Sequence, residues 1–277
     1  VGINHLGDYG TQFGKLIYAY KAWGDEKAVE KGGLKELTRL YVKYHEEAET
    51  HPEMDDAARS YFKAIEQKDP EAVALFEKFK AMTLKDIEKI YNLLNVKCDS
   101  YAGESFYNDK MQPVIDELKE KNLLTESQGA MVVDLEKYDM PPCIILRSDG
   151  ASLYATRDLA AAIYRKNTYD FYKCLYVVAY QQNLHFKQLF KVLELMGKEW
   201  AKDMVHVAYG MVSLEDGAMS TRKGKVVWLE EVIDKCIEKC YHVINEKNPD
   251  LQGKEEIAKQ VGVGAVIFGA LSNNKIK

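Results

Sequence analysis

Apolar positions recur every three to four residues over the first third of the chain, as in "LKELTRLYVKY", and this spacing predicts helices across residues 14–94. Within that region, Thr83 precedes an apolar stripe over residues 83–95. A threonine at such a place is a common N-cap, so a separate helix is expected to begin there. The first third should therefore form a helical insertion at about residues 15–95.

Further along, helical periods alternate with short apolar runs bounded by turn residues, and such runs predict strands. The predicted segments are a strand end at 1–4, a strand with a turn at 96–103, a helix at 110–122, a hairpin around "DMPP" (139–142), a helix at 152–166, a strand at 174–180, a helix at 184–197 ended by Gly197 and a strand at 204–210. Helices resume at about 228–247 and 254–271. Alternating strands and helices indicate a parallel sheet in an α/β fold.

Loops beyond the carboxyl ends of parallel strands are where ligands bind in an open α/β sheet. Three loops follow the predicted strands: "NHLGDYG" at 4–10, "YQQNLH" at 180–185 and "YGMVSLEDGAMSTRKG" at 209–224. The first contains Asn4, His5 and Asp8, whose side chains suit either a polar substrate or an ordinary Asx turn. These loops form the candidate site.

The third loop combines hydroxyls with cations, at Ser220, Thr221, Arg222 and Lys223. Hydroxyls, exposed backbone N–H groups and basic side chains are what a polyphosphate requires of a loop. A solvated hairpin turn is the simpler interpretation, because short basic loops usually lie on the surface.

Composition narrows the class of protein. The formal net charge is −5, which argues against a nucleic-acid coat protein but allows a local basic site. No apolar run is long enough for a membrane helix and no leader-like segment opens the sequence, so we expect a cytoplasmic protein. The five cysteines are expected to be reduced thiols. Cys236 and Cys240 share a helix face, but no second pair completes a zinc site, so no metal site is expected.

Four segments carry a family resemblance: "INHLGDYGTQFG", "SLYATRDLAAAIYR", "YQQNLHFKQLFKVLELMG" and "GAMSTRKGKVV". Together and in this order they resemble the arginyl-tRNA synthetases, which are class I aminoacyl-tRNA synthetases. The resemblance implies a Rossmann-like parallel sheet with a helical insertion, followed by the start of an α-helical domain. It places a catalytic domain without its first strand at residues 1–227. Residues 228–277 would lead into an anticodon-binding domain.

Tyr154 and Asp158 are four residues apart on a predicted helix and therefore share one face. A carboxylate beside a flat, hydrogen-bonding ring is suited to a guanidinium group. The resemblance implies that this pair binds the side chain of the substrate arginine, with Gln182 and Asn4 also holding the substrate. The alternative is a surface aspartate paired with an arginine of its own helix.

The resemblance also implies residues for ATP, which would be bound by Gln181, His185, Met211, Val212 and Ser220. For His185 the alternative is an ordinary helix histidine that is satisfied within the fold. Ser220, Arg222 and Lys223 would meet the triphosphate and act as catalytic residues. The class carries lysines where this sequence has Ala218 and Thr221.

The implied reaction is ATP-dependent activation of arginine, with Mg²⁺ accompanying ATP. It forms arginyl-adenylate, and the arginyl group then passes to the 3′ terminal ribose of tRNA(Arg). The class signature His-Ile-Gly-His is not found in the sequence and is expected upstream of Asn4. We therefore expect an internal fragment of a ligase that is inactive by itself. The alternative, supported by Ala218, is a non-catalytic synthetase-like module that binds arginine or a nucleotide.

Overall fold

The computed structural model describes residues 1–147, 154–211, 213–214, 217–218 and 226–272. Contacts group the chain into two compact units, each considered separately below. An α/β unit comprises Val1–Gly7 and Cys98–Met211, and a helical unit comprises Asp8–Lys97 together with the described residues between Ser213 and Ser272. The boundary expected at residue 227 stays a prediction.

Helices account for most of the described residues. In chain order they are α1 Thr11–Trp23, α2 Glu26–Ala48, α3 Glu53–Glu66, α4 Pro70–Leu93, α5 Met111–Glu120, α6 Tyr154–Tyr169, α7 Asn183–Leu195, α8 Leu229–Lys247 and α9 Lys254–Ser272. Among the described residues, no helix is both long and apolar enough to cross a bilayer.

The strands are short and fall into separate sheets. They are β1 Leu124–Ser127, β2 Ala130–Val133, β3 Cys143–Leu146, β4 Cys174–Ala179, β5 Met204–Tyr209, β6 Ser213–Leu214 and β7 Gly217–Ala218. Strands β1, β2 and β3 form an antiparallel sheet, and β6 pairs antiparallel with β7. Strands β4 and β5 pair in parallel, from Cys174 opposite Met204 to Ala179 opposite Tyr209. This β4–α7–β5 crossover unit confirms the predicted alternation in this part of the chain.

Strand β3, the first strand of the expected alternation, belongs to a different sheet from the parallel pair. β3 pairs antiparallel with β2 and does not join the parallel pair. Its burial alternates, with Cys143 and Ile145 buried and Ile144 exposed, as is usual for an antiparallel strand with one open face. The predicted "DMPP" hairpin is confirmed as a β2–β3 pairing, but its strands are shorter than predicted because residues 134–142 form the connection.

Two local predictions are wrong. Thr83 lies inside α4, where its hydroxyl donates to the carbonyl of Phe79, and the cap of that helix is Asp69. Residues 96–103 form no strand, and of the strand end expected at 1–4 only Ile3 takes part, in a single parallel bridge to Ser100. Strand β1 is not predicted by the sequence pattern.

Close helix contacts shape the helical unit. Helix α2 is kinked at Gly33, whose backbone has φ 55° and ψ −135°, and Asp86 of α4 accepts a hydrogen bond from Leu34 N at 2.8 Å beyond the kink. Helices α8 and α9 meet at Gly262, where an added Cβ would lie 2.8 Å from Ile237 Cα. A side chain at that position would therefore force the two helices apart.

The core of the α/β unit lies between α6, α7 and the strands. Its fully buried members include Leu118, Ile145, Leu159, Leu189 and Leu193. The buried Thr156 hydroxyl donates to the carbonyl of Ile145 at 2.6 Å and ties α6 to β3. This attachment fixes the rotation of α6, and therefore which of its side chains face the end of the parallel pair.

Candidate functional site

Helix α6 presents Asp158 to two histidines that are distant in sequence. His185 Nε2 lies 2.7 Å from Asp158 Oδ2, and His5 Nε2 lies 3.5 Å from Oδ1. The Asp158 side chain remains 20% exposed, whereas that of His185 is 7% exposed. Each carboxylate oxygen thus faces one imidazole while the group keeps access to solvent.

Burial and hydrogen bonding shift the pKa of Asp158 in opposite directions. Burial by itself would raise the pKa of this carboxyl. Hydrogen bonds from His185 and His5, together with electrostatic attraction to those rings, outweigh burial and hold the pKa of Asp158 well below its usual range. Asp158 is therefore a carboxylate at neutral pH, available to a cation.

Tyr154 stands one helical turn before Asp158 and forms the other part of this face. Its ring packs against the His185 ring, with centroids 4.8 Å apart, and 55% of the residue is exposed. The i, i+4 spacing thus brings the phenol and the carboxylate together around the same histidine. A flat, half-exposed ring beside an ionised carboxylate matches the shape of a guanidinium group.

The arginines of α6 are not ion-paired with Asp158. Arg157 pairs with Glu104 at 2.8 Å and also donates to Asn108. Arg165 donates to His5 Nδ1 at 3.0 Å. The ion-pair partners of Asp158 among the described residues are both histidines, so the alternative of a surface Asp–Arg pair does not form.

Other predicted residues lie beyond the carboxyl ends of the parallel pair. Gln181 and Gln182 are exposed in a short 3₁₀ helix, Tyr180–Gln182, directly after β4. Met211 follows β5 and is 52% exposed. Asn4 adjoins His5 in the chain, and its backbone N–H donates to Ser100 O at 2.9 Å. These residues lie in the same compact unit as Asp158.

The remaining predicted residues belong to the helical unit or fall outside the described residues. Asp8, from the same glycine-rich loop as His5, belongs to the helical unit, where it is buried and paired with Lys80 at 2.7 Å. Val212, Ser220, Arg222 and Lys223 lie outside the described residues. Within the described ranges, no cluster of three or more His, Cys, Asp or Glu side chains could hold a metal ion.

The contacts of the two histidines and of Arg165 are not predicted by the sequence. His5 is expected only as one polar member of a loop, His185 is expected at ATP, and an arginine of α6 is weighed only as an ion-pair partner of Asp158. In the structure both histidines face Asp158. The chain brings His5 close through the Ile3–Ser100 bridge, a contact between residues 97 apart. No local pattern reports such a contact. The helix predicted at 184–197 does place His185 in the first turn of α7.

Solved structures share this fold. The arginyl-tRNA synthetase of Thermus thermophilus superposes with a TM-score of 0.81 at 23% identity, over 99% of this chain and 52% of that one. The arginyl-tRNA synthetase from Plasmodium falciparum gives a TM-score of 0.79 at 23% identity, over 100% of this chain and 46% of that one. The predicted α/β fold is thereby confirmed.

Sequence relatives specify the family. All 277 residues match the family model described as "tRNA synthetases class I (R), catalytic domain", and the chain belongs to this family. Proteins named "Arginine--tRNA ligase" from Clostridium beijerinckii and Halothermothrix orenii are 61% and 59% identical over the whole chain. The chain spans 49% of the length of each. The resemblance stated from the four motifs is confirmed.

Proposed function

We propose that this chain is the arginine- and ATP-binding part of an arginine–tRNA ligase, and that Asp158 binds the guanidinium of the substrate. The observation that carries this proposal is the ionised, partly exposed carboxylate between His5 and His185, with Tyr154 beside it. Its family membership and the names of its close relatives support the same activity.

The geometry leaves room on Asp158 for a ligand. A carboxylate has about four lone-pair sites, and the two histidines address one on each oxygen. The remaining sites can accept from the parallel N–H groups of a guanidinium, which fit a carboxylate in a bidentate manner. The exposed Tyr154 ring can lie against the guanidinium plane or accept a hydrogen bond at its hydroxyl. Gln182 and Asn4 complete the proposed arginine site.

The nucleotide would lie beyond the ends of β4 and β5. We assign Gln181, His185, Met211, Val212 and Ser220 to ATP, and Ser220, Arg222 and Lys223 to its triphosphate. His185 then adjoins the proposed arginine site as well, because its ring contacts both Asp158 and Tyr154. Helix α7 begins at Asn183 and turns its first backbone N–H groups toward this end of the strands, which favours an anion there.

Mg²⁺ fits this site only as a companion of ATP. Mg²⁺ is usually held by substrate phosphates with one or two carboxylates, and the described residues offer no metal-binding cluster of their own. Bound to the phosphates, it would offset charge on the leaving pyrophosphate. The role of this chain is to place the arginine carboxylate against the α-phosphate, since positioning and charge stabilisation supply most of the catalysis in such transfers.

The remaining partner, tRNA(Arg), is inferred from the names of the relatives. That partner and a cytoplasmic location stay predictions. The second candidate function is a non-catalytic binding module. Ala218, at the position of a class lysine, is the feature that favours it. Both functions require the arginine pocket, so a binding test addresses what they share. Pyrophosphate release would separate them when it is measured on a protein of the full length of the relatives, because this chain spans only about half of that length.

Calorimetric titration with arginine tests the pocket, with citrulline and lysine as comparison ligands. We expect saturable binding of arginine, much weaker binding of lysine because its ammonium lacks the bidentate fork, and weaker binding of the uncharged citrulline. Asp158→Asn should weaken arginine binding roughly 30-fold to several thousand-fold, since losing one partner of a buried charged pair typically costs about 2–5 kcal/mol.

Asp170→Asn is the matched control. Asp170 follows the same helix, α6, its side chain is 90% exposed, and its positive φ of 40° is tolerated by asparagine. This variant removes the same charge outside the pocket, so arginine affinity should stay unchanged. Equal losses in both variants would show a general charge effect, and unchanged binding in Asp158→Asn would refute the assignment.

A further inference from the structure

Arg165 is a buried cation without a carboxylate partner. The residue is 6% exposed, and within the described part of the chain no carboxylate lies within 4.0 Å of its guanidinium. The rings of Tyr107 and Tyr176 lie 5.6 and 5.5 Å from its Cζ, and they offset part of the cost of burying the charge. A buried charge is expensive to keep unless it makes a specific contact.

That contact is with His5. Arg165 Nη2 lies 3.0 Å from His5 Nδ1. A guanidinium can donate but cannot accept, so Nδ1 must be the acceptor in this hydrogen bond. The proton of the neutral ring then lies on Nε2, the nitrogen that faces Asp158 Oδ1 at 3.5 Å.

A second tautomer of His5 competes with this arrangement. The carbonyl of Ala102 lies 3.4 Å from Nδ1 and would accept a hydrogen bond if Nδ1 carried the proton. Nε2 would then turn a lone pair toward the carboxylate, and the two acceptors would repel. The shorter Arg165 contact excludes a proton from Nδ1 and so selects the tautomer that donates toward Asp158.

We propose that Arg165 is a positioning residue that holds His5 as the Nε2–H tautomer, and so orients the Asp158 carboxylate between two imidazole donors. The consequence for substrate rests on the proposed arginine site. His185 faces Oδ2 of Asp158 and His5 faces Oδ1. Because both oxygens are held in this way, the remaining lone pairs of the carboxylate point in one fixed direction. Without Arg165 the carboxylate can rotate, and the fork-to-fork geometry with a guanidinium is held less often.

The tautomer can be read directly by long-range ¹H–¹⁵N correlation spectra of the chain labelled with ¹⁵N-histidine, at pH 8.5. The His5 signal is assigned by its loss in His5→Gln. We expect a protonated Nε2 and an unprotonated Nδ1 in the unchanged chain. Arg165→Met keeps a flexible, unbranched stem but removes the donor, and it should shift the ring toward Nδ1–H. Arg165→Lys keeps a cationic donor and should restore the Nε2–H form.

An unchanged chain with the proton on Nδ1 would overturn the proposal even if no variant folds. Retention of Nε2–H in folded Arg165→Met would overturn it as well. Arginine binding is measured in parallel, where we expect about a 10-fold loss in Arg165→Met, and partial rescue in Arg165→Lys. A changed tautomer with unchanged arginine affinity would refute the link to substrate.

These outcomes are separable from failure of the proposed function. If the unchanged chain does not bind arginine, the guanidinium site and the binding effect of Arg165 are both refuted. The spectra still decide the tautomer, because they require no ligand.

Discussion

Two glycines of helix α9 offer a sharp test of the packing between α8 and α9. Gly262 is buried against α8, and an added Cβ would lie 2.8 Å from both Ile237 N and Cα. Gly264, two residues later, has no atom within 4 Å of the same added Cβ. Substituting each by alanine changes helix propensity equally but packing unequally.

The two effects can be weighed separately. Replacing a helical glycine with alanine gains about 1 kcal/mol of helix propensity at either position. At Gly262 the contacts of 2.8 Å are well inside van der Waals distance, so the helices must separate, and such overpacking typically costs about 1–3 kcal/mol. We expect Gly264→Ala to stabilise by about 1 kcal/mol and Gly262→Ala to be less stable than it by about 1–3 kcal/mol.

The assay is urea unfolding followed by circular dichroism, with hydrogen exchange of α8 peptides as the local measurement. Exchange should quicken in Gly262→Ala and slow or stay equal in Gly264→Ala, because only the first separates α8 from α9. Equal stabilisation by both variants would refute the close approach at Gly262. A changed m-value would show that the unfolding reaction itself had altered, so the comparison is made at constant m.

The remaining predictions concern one helix kink and one thiol. Asp86→Ala should lower the free energy of unfolding by about 1–2 kcal/mol, because Leu34 N loses its hydrogen-bond acceptor beyond the kink. Asp86→Asn keeps an acceptor oxygen and should retain most of that stability. Urea unfolding measures both variants, and equal losses would contradict the capping role of Asp86. Burial raises the pKa of the Cys143 thiol to about 12. In the folded chain at pH 8, Cys143 should therefore resist iodoacetamide while the partly exposed Cys236 reacts. Mass spectrometry of the labelled peptides measures both reactions, and rapid labelling of Cys143 in the folded chain would refute the burial argument.

Local sequence signals located most helices but not all of their ends. The helical period over α1 to α4 was sufficient to predict that region, because burial there repeats with the turn of a helix. Thr83 was misread because a threonine within a helix can satisfy its hydroxyl through the carbonyl one turn earlier. Asp69 followed by Pro70 was the stronger start signal, since proline favours the first helical position.

Strand β1 escaped prediction because three of its four residues are exposed and polar. Its turn carried a usable signal. Gln128 and Gly129 link β1 to β2 with φ values of 51° and 79°, which is the positive-φ pair that a two-residue hairpin requires. Glycine at the second position is typical of such turns, but glutamine at the first is not, so the pattern was easy to miss.

In the candidate site, contacts between residues close in sequence were predictable, and contacts between distant residues were not. The i, i+4 spacing correctly placed Tyr154 and Asp158 around one point, because helix geometry alone fixes that relation. The approach of His5, and the role of Arg165 beside it, depend on contacts between residues about 160 apart. Such contacts depend on the packing of the whole unit, and no local pattern in a single sequence predicts them.

The contacts of both Asp158 oxygens with histidines also affect the expected rates of ligand binding. His5 and His185 hold both oxygens of the carboxylate, so at the proposed arginine site a guanidinium would meet an acceptor that is already oriented. The entropy of fixing that side chain is lost during folding and not during binding. Capture of arginine should then proceed as one bimolecular encounter without a slow isomerisation, and differences in affinity between related ligands should appear mainly in how fast they leave.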